Sequence, residues 1–159
     1  MFDNSIIGAG PELPTGYKIR FMEPGDYENG VLDVYKVLTT VGQISKEKFV
    51  AQLEFWAGQA GTYFPLVITN PNHHVVACGT CIVEAKLIHE CGRVGHIEDI
   101  AVAKSQQGLS LGKKLIQTLS HVAEQAGCYK VILDCDEKNV GFYEKCGYNR
   151  AGVEMDLRF

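Results

Sequence analysis

Apolar and β-branched stretches alternate along the chain with clusters of Gly, Pro and Asn, and their lengths and periods predict a mixed succession of strands and helices. Tyr17 to Met22 reads as a strand and Asp26 to Leu38 as a helix ending near Thr39-Thr40-Val41-Gly42. A second helix is expected from Ser45 to Ala57, with Ser45 as N-cap and Lys48 in place of the usual capping-box acid. Phe64 to Thr69 and Val75 to Glu84 read as strands joined by the turn Asn70-Pro71-Asn72. Gly95 to Val102 is the next strand, and helical spacing resumes from Leu111 to Ala126. Val131 to Cys135 then reads as a short buried strand, Asn139 to Cys146 as a short helix and Gly152 to Arg158 as a closing strand. Residues 1–16 carry three glycines and two prolines without periodicity, which predicts a flexible arm ahead of a single domain over 17–159. Antiparallel strands followed by a strand-loop-helix-strand unit give an α/β, mixed α+β class, with one mixed sheet flanked by helices.

Composition narrows the function classes. At 159 residues one core suffices, and 46% hydrophobic with 21% charged residues excludes extended disorder. Fifteen basic against nineteen acidic residues give a net charge of −4, so no broad electrostatic footprint for nucleic acid or an anionic membrane is present. No apolar run has the length of a membrane span, and Met1 to Pro14 lacks the pattern of a secretory leader, so a cytoplasmic protein is expected.

The six cysteines are expected to be reduced and mostly packed in the interior, since a chain of this size does not need disulfide staples. Cys78 and Cys81 have the spacing of a metal or redox pair. They fall inside a predicted strand, however, where residues three apart face opposite sides. No metal site is expected.

The stretch Gln107-Gly108-Leu109-Ser110-Leu111-Gly112-Lys113 follows a strand and opens a helix, so free backbone N–H groups and the helix dipole converge where an anion such as a pyrophosphate can bind. It fits neither the P-loop nor the dinucleotide fingerprint. The loop resembles the acetyl-CoA-binding motif Q/R-x-x-G-x-G/A of the GNAT N-acetyltransferases, with Ser110 standing where the motif has its first glycine. Asn139-Val140-Gly141-Phe142-Tyr143-Glu144-Lys145-Cys146-Gly147-Tyr148 likewise resembles that superfamily's late N-x-x-F-Y element. Lys36 to Gly42, Gly95 to Val102, Gly127 to Lys130, Leu133 to Asn139 and Ala151 to Met155 are similar to the glucosamine 6-phosphate N-acetyltransferases within it.

This resemblance implies the GNAT acyl-CoA N-acyltransferase fold, with a central, mostly antiparallel sheet. It also implies acetyl-CoA as cosubstrate, D-glucosamine 6-phosphate as acceptor, and a homodimer whose closing strand helps complete the partner's sugar site. By the same carry-over Glu98, Asp99, Ile100, Gln107, Gly108, Leu109, Ser110, Leu111, Gly112, Lys113, Asn139 and Tyr143 hold acetyl-CoA. Thr39, Lys86, Leu87, Ile88, His89, Tyr129, Lys130, Asp134 and Arg158 surround the sugar phosphate, Arg158 reaching over from the other subunit.

The chemistry of these residue types is compatible with acyl transfer. Tyr143 can donate a proton to a departing thiolate, and a carboxylate or an oriented water can take the proton of an attacking amine. Tyr143, Glu98 and Asp134 are therefore the catalytic candidates. Strict alternation puts Glu98 and Asp99 on opposite faces of their strand, so only one can look directly into a cleft. An N–H near Ile100 is a candidate donor to the oxyanion, and lysine and arginine suit a phosphate dianion. Two other readings remain open: a GNAT enzyme for a polyamine, another small amine or a protein N-terminus, and a CoA-binding module without turnover.

Overall fold

The computed structural model describes residues 2–159. Five strands form one sheet in chain order, β1 (Lys18–Phe21), β2 (Tyr63–Thr69), β3 (Val75–Ala85), β4 (Arg93–Val102) and β5 (Cys128–Ile132). The first four pair antiparallel, and β5 joins β4 in parallel. Helices α1 (Val31–Tyr35) and α2 (Lys46–Gly58) separate β1 from β2. Helix α3 (Leu111–Gln125) makes the crossover that a parallel pair needs, and the short α4 (Val140–Glu144) follows β5.

The apolar stripe of α3 explains one half of the core. Leu111, Leu115, Ile116, Leu119, Val122 and Ala123 are all buried, and they pack on Ala77, Cys81, Val83 and Ile97 of the sheet. Each fully buried leucine or isoleucine contributes about 1.5–3 kcal/mol of transfer free energy. Val31, Val34, Phe49 and Leu53 of α1 and α2 cover the opposite face, against Val67, Val75, Cys78 and Ala101. With both faces covered, β2 and β3 become almost continuous apolar runs. Gly95 lets α3 approach the sheet, because a Cβ there would sit 2.9 Å from the Cβ of Ala123.

Cys78 and Cys81 lie in the two different core clusters, as strand alternation requires. Burial pushes the Cys81 thiol up to about 12 and raises that of Cys78 as well, so neither is a thiolate at neutral pH. All six cysteines are free.

Ser45 caps α2 as expected, its side chain accepting the Lys48 N–H at 3.2 Å. Three expected elements differ. The helix predicted over Asp26 to Leu38 is broken into a 3-10 turn, Pro24–Tyr27, and the short α1, because Gly30 adopts φ 88° between them. The strand predicted at Val131 to Cys135 begins three residues earlier and is largely exposed. Its ladder partners are Arg93 to His96 at the start of β4, and it has no neighbour on its other edge. The closing strand predicted at Gly152 to Arg158 is irregular and exposed, and it pairs with neither outer edge of its own sheet. Residues 2–16, read as a flexible arm, pack against the sheet here. Ile7 is buried, Phe2 stacks on Phe21 at 5.0 Å, and Asn4 accepts the Phe21 N–H at 3.1 Å.

Candidate active site at the split between two parallel strands

A bulge in β4 shapes the candidate site. Cys78 and Thr80 of β3 pair with Ala101 and Glu98, so the single residue Gly79 faces two, Asp99 and Ile100. Asp99 takes φ 55°, the left-handed conformation that a G1-type bulge usually gives to glycine. The bulge resets the alternation. Ile100 joins Ile97 and the α3 cluster, whereas strict alternation had grouped Ile100 with Glu98.

Pairing between β4 and β5 ends at His96 and Ile132. Beyond that point β4 continues through the bulge to Val102 while β5 stops, leaving the β4 backbone edge from Ile97 onward without a β5 partner. A split of this kind exposes N–H and C=O groups that an extended ligand can use as a substitute strand.

The loop after β4 supplies a second set of free donors. Lys104–Gln106 form a 3-10 turn, Gln107 is extended, and Gly108 and Ser110 have φ 91° and 59°. The first helical bond runs from Lys114 N to Ser110 O at 3.1 Å. Among the described residues, no backbone bond uses the N–H groups from Gly108 to Lys113. Six consecutive free donors at the positive end of a fifteen-residue helix make an anion cradle. Ser110 does not cap the helix with its side chain. Gly112 leaves the helix start close to Phe142, whose Cζ would lie 3.4 Å from a Cβ there.

Tyr143 projects from α4, its ring edge-on to Phe142 and Tyr148 with centroids 5.0 and 6.3 Å away. Burial pushes its hydroxyl up to about 12, and Cys135, Cys146 and Asp134 nearby push in the same direction. The Glu98 carboxyl is also raised, first by desolvation and then by Asp134 and Asp99. Asp134 is thus an electrostatic neighbour of both Glu98 and Tyr143.

A family model described as "Acetyltransferase (GNAT) family" matches residues 31–148. The chain belongs to the GNAT acetyltransferase family. A glucosamine 6-phosphate N-acetyltransferase from Candida albicans is 57% identical over 147 residues, covering 92% of this chain and 99% of the relative. A glucosamine 6-phosphate N-acetyltransferase 1 from Dictyostelium discoideum is 40% identical, covering 91% and 92%. The crystal structure of glucosamine-6-phosphate N-acetyltransferase from Arabidopsis thaliana superposes with a TM-score of 0.88 at 35% identity, over 90% of this chain and 98% of that one.

In this GNAT chain the residues singled out for the acceptor fall into separate groups. His89 and Tyr129 touch, ring centroids 4.6 Å apart, and the Lys130 ammonium lies 5.8 Å from the Tyr129 ring. His89, Glu90 and Cys91 form a left-handed turn, and Gly92 lets it lie against Tyr129 because a Cβ there would sit 2.9 Å from the ring. Lys86 is held by Glu84 at 2.7 Å, and Glu84 also contacts His96 at 2.8 Å. Leu87 and Ile88 are exposed. Thr39 is exposed beyond α1, its N–H bonded to Tyr35 O. Among the described residues Arg158 pairs only with Asp156, at 2.7 Å, on the exposed tail. Asn139 precedes α4 and makes no side-chain cap.

Two residues near the GNAT site had not been picked out. The Glu154 carboxyl is raised chiefly by the negative charge of Asp134. Its signal was its place in the segment Ala151 to Met155. Gly79 is the other, and a glycine inside a strand pattern is the recognised mark of a bulge.

Proposed function

We propose that this chain transfers the acetyl group of acetyl-CoA to the amino nitrogen of D-glucosamine 6-phosphate. The products are N-acetyl-D-glucosamine 6-phosphate and CoA, a step toward UDP-N-acetylglucosamine. The observation that carries the reading is the alignment of two features: the six free N–H groups of Gly108 to Lys113 and the split beside Glu98, Asp134 and Tyr143. The names of the relatives supply the acceptor.

When bound, acetyl-CoA supplies an activated acetyl thioester. The residues Gln107, Gly108, Leu109, Ser110, Leu111, Gly112 and Lys113 receive its pyrophosphate, and the free β4 edge from Glu98 to Ile100 aligns its pantetheine arm. A backbone N–H beside Ile100 stabilises charge developing on the carbonyl oxygen. Tyr143, protonated throughout the neutral range, holds a proton for the departing sulfur. Asp134 and Glu98 orient the amine and receive its proton directly or through water. Direct attack in a ternary complex needs no protein nucleophile; Cys135, the nearest thiol, is raised by burial and by Asp134.

The sugar phosphate is read by Lys130, His89 and Lys86 with Thr39 at the rim, and by Arg158 of a second copy. Two observations favour this homodimer. The outer edge of β5 is free and borders a groove of about 450 Å³ lined by Gln117, His121, Tyr129, Lys130 and Cys146. The tail alternates exposed Val153, Met155, Leu157 and Phe159 with Glu154, Asp156 and Arg158, a strand pattern without a sheet. A cytoplasmic setting fits six reduced thiols.

Release of free thiol from acetyl-CoA, followed with and without amino sugar, tests the reading. Thiol release that needs glucosamine 6-phosphate supports the transferase; acetyl-CoA binding without turnover supports a binding module instead.

A further inference from the structure

The β4 bulge leaves a side chain to be housed. The extra residue turns Ile100 toward α3, directly over the backbone of Gly79 on the neighbouring strand. A Cβ built on Gly79 would fall well inside 3.0 Å of the Ile100 δ-methyl, closer than real Cβ atoms come to any neighbour. Its next contacts, Leu119 at 3.3 Å and Leu115 at 3.4 Å, are tolerable by comparison. The conflict is thus confined to one methyl group. Gly79 has no left-handed dihedral to explain it, so space is its purpose.

We infer that Gly79 is a positioning residue for acyl transfer: it holds the socket for Ile100 that seats the bulge and thereby aims the β4 backbone at acetyl-CoA. The inference rests on the reading that Glu98 to Ile100 line the acetyl-CoA site. A side chain on Gly79 must displace the Ile100 δ-methyl in a core that Leu115 and Leu119 already fill, so the shift is taken up toward the left-handed Asp99 beside it and the donors of the split. Catalytic geometry is sensitive to shifts of this size, about 1 Å costing as much as a hundredfold.

Acetyl-CoA titration by calorimetry, with thermal melting alongside, tests this on four variants. Gly79→Ala is expected to weaken acetyl-CoA binding at least about tenfold. Ile100→Val deletes only the δ-methyl, so Gly79→Ala/Ile100→Val should bind within about threefold of Ile100→Val alone, a non-additive result expected of residues in contact. Gly95→Ala, crowded by Ala123 at 2.9 Å but outside the bulge, should lower the melting temperature with an unchanged dissociation constant. Wild-type affinity in Gly79→Ala, or a double variant more than about tenfold weaker than Ile100→Val, overturns the inference. If Gly79→Ala alone does not fold, the comparison on the Ile100→Val background decides by the same thresholds. A wild-type chain that fails to bind acetyl-CoA would overturn the functional reading itself, which separates the two failures.

Discussion

Arg20 grips Asp26 with two parallel hydrogen bonds, Nη1 to Oδ2 at 2.8 Å and Nη2 to Oδ1 at 2.7 Å, and the Asp26 side chain is fully buried. Oδ2 also accepts the Glu23 N–H at 2.9 Å, so the pair ties β1 to the turn that leads into α1. Removing the Asp26 charge takes away both strong bonds of Arg20, which is a quarter exposed and keeps Glu23 at 3.2 Å and the Phe21 carbonyl at 2.9 Å. Asp26→Asn is expected to destabilise the fold by about 3 kcal/mol, read as a lower urea midpoint at an unchanged slope. A loss below about 1 kcal/mol would show that Arg20 finds water or Glu23 instead.

Ser110 pays for its place in the anion loop with backbone strain. It holds φ 59° and ψ 20° where a glycine would be at ease, and its hydroxyl caps nothing. Relief of the strain, about 1–2 kcal/mol, is partly offset by glycine's extra freedom when unfolded. Ser110→Gly should therefore stabilise the protein by up to about 1 kcal/mol and change acetyl-CoA affinity less than about tenfold. A hundredfold gain in calorimetric affinity would show that the serine obstructs the site.

The raised hydroxyl of Tyr143 fixes the sign of its pH effect. An acid is useful while protonated, and a group held at about 12 keeps its proton at every pH below that value. Turnover should therefore show no alkaline loss through Tyr143 between roughly pH 7 and 10. Tyr143→Phe is expected to lower kcat by about a hundredfold or more, with acetyl-CoA affinity within about threefold of wild type. An alkaline limb in the wild type that vanishes in the Phe variant would contradict the raised hydroxyl, and an unchanged kcat in Tyr143→Phe would remove Tyr143 from the chemistry.

The exposed tail makes the sugar site testable as a shared one. Arg158→Ala should raise the KM for glucosamine 6-phosphate and leave that for acetyl-CoA nearly unchanged. Mixing it with Lys130→Ala should restore about a quarter to a half of the sites once chains exchange, since one mixed site then escapes both lesions. Exchange without recovery would place Arg158 in its own chain's site.

The fold was legible where burial imposes a period. Helix α3 follows from the spacing of Leu111, Leu115, Ile116, Leu119 and Val122, and β2 and β3 from their apolar runs. Of the candidate site, the loop from Gln107 to Lys113 was legible because glycines and a helix start carry a local signal. The bulge was not, since alternation alone cannot show that Asp99 is an extra residue; only pairing with Cys78 and Thr80 reveals it. The bounds of β5 depend on its ladder with Arg93 to His96, a long-range fact. The tail kept a strand's alternation without becoming one, because it pairs with neither outer edge of its own sheet, β1 or β5.

Acetyl transfer to a phosphorylated amino sugar is decided by an acceptor panel. Thiol release from acetyl-CoA is measured with glucosamine 6-phosphate, glucosamine and spermidine at equal concentrations. The kcat/KM for glucosamine 6-phosphate is expected to exceed that for glucosamine by at least about a hundredfold, the worth of two charge-assisted phosphate contacts. Equal use of glucosamine, or a preference for spermidine, would contradict it.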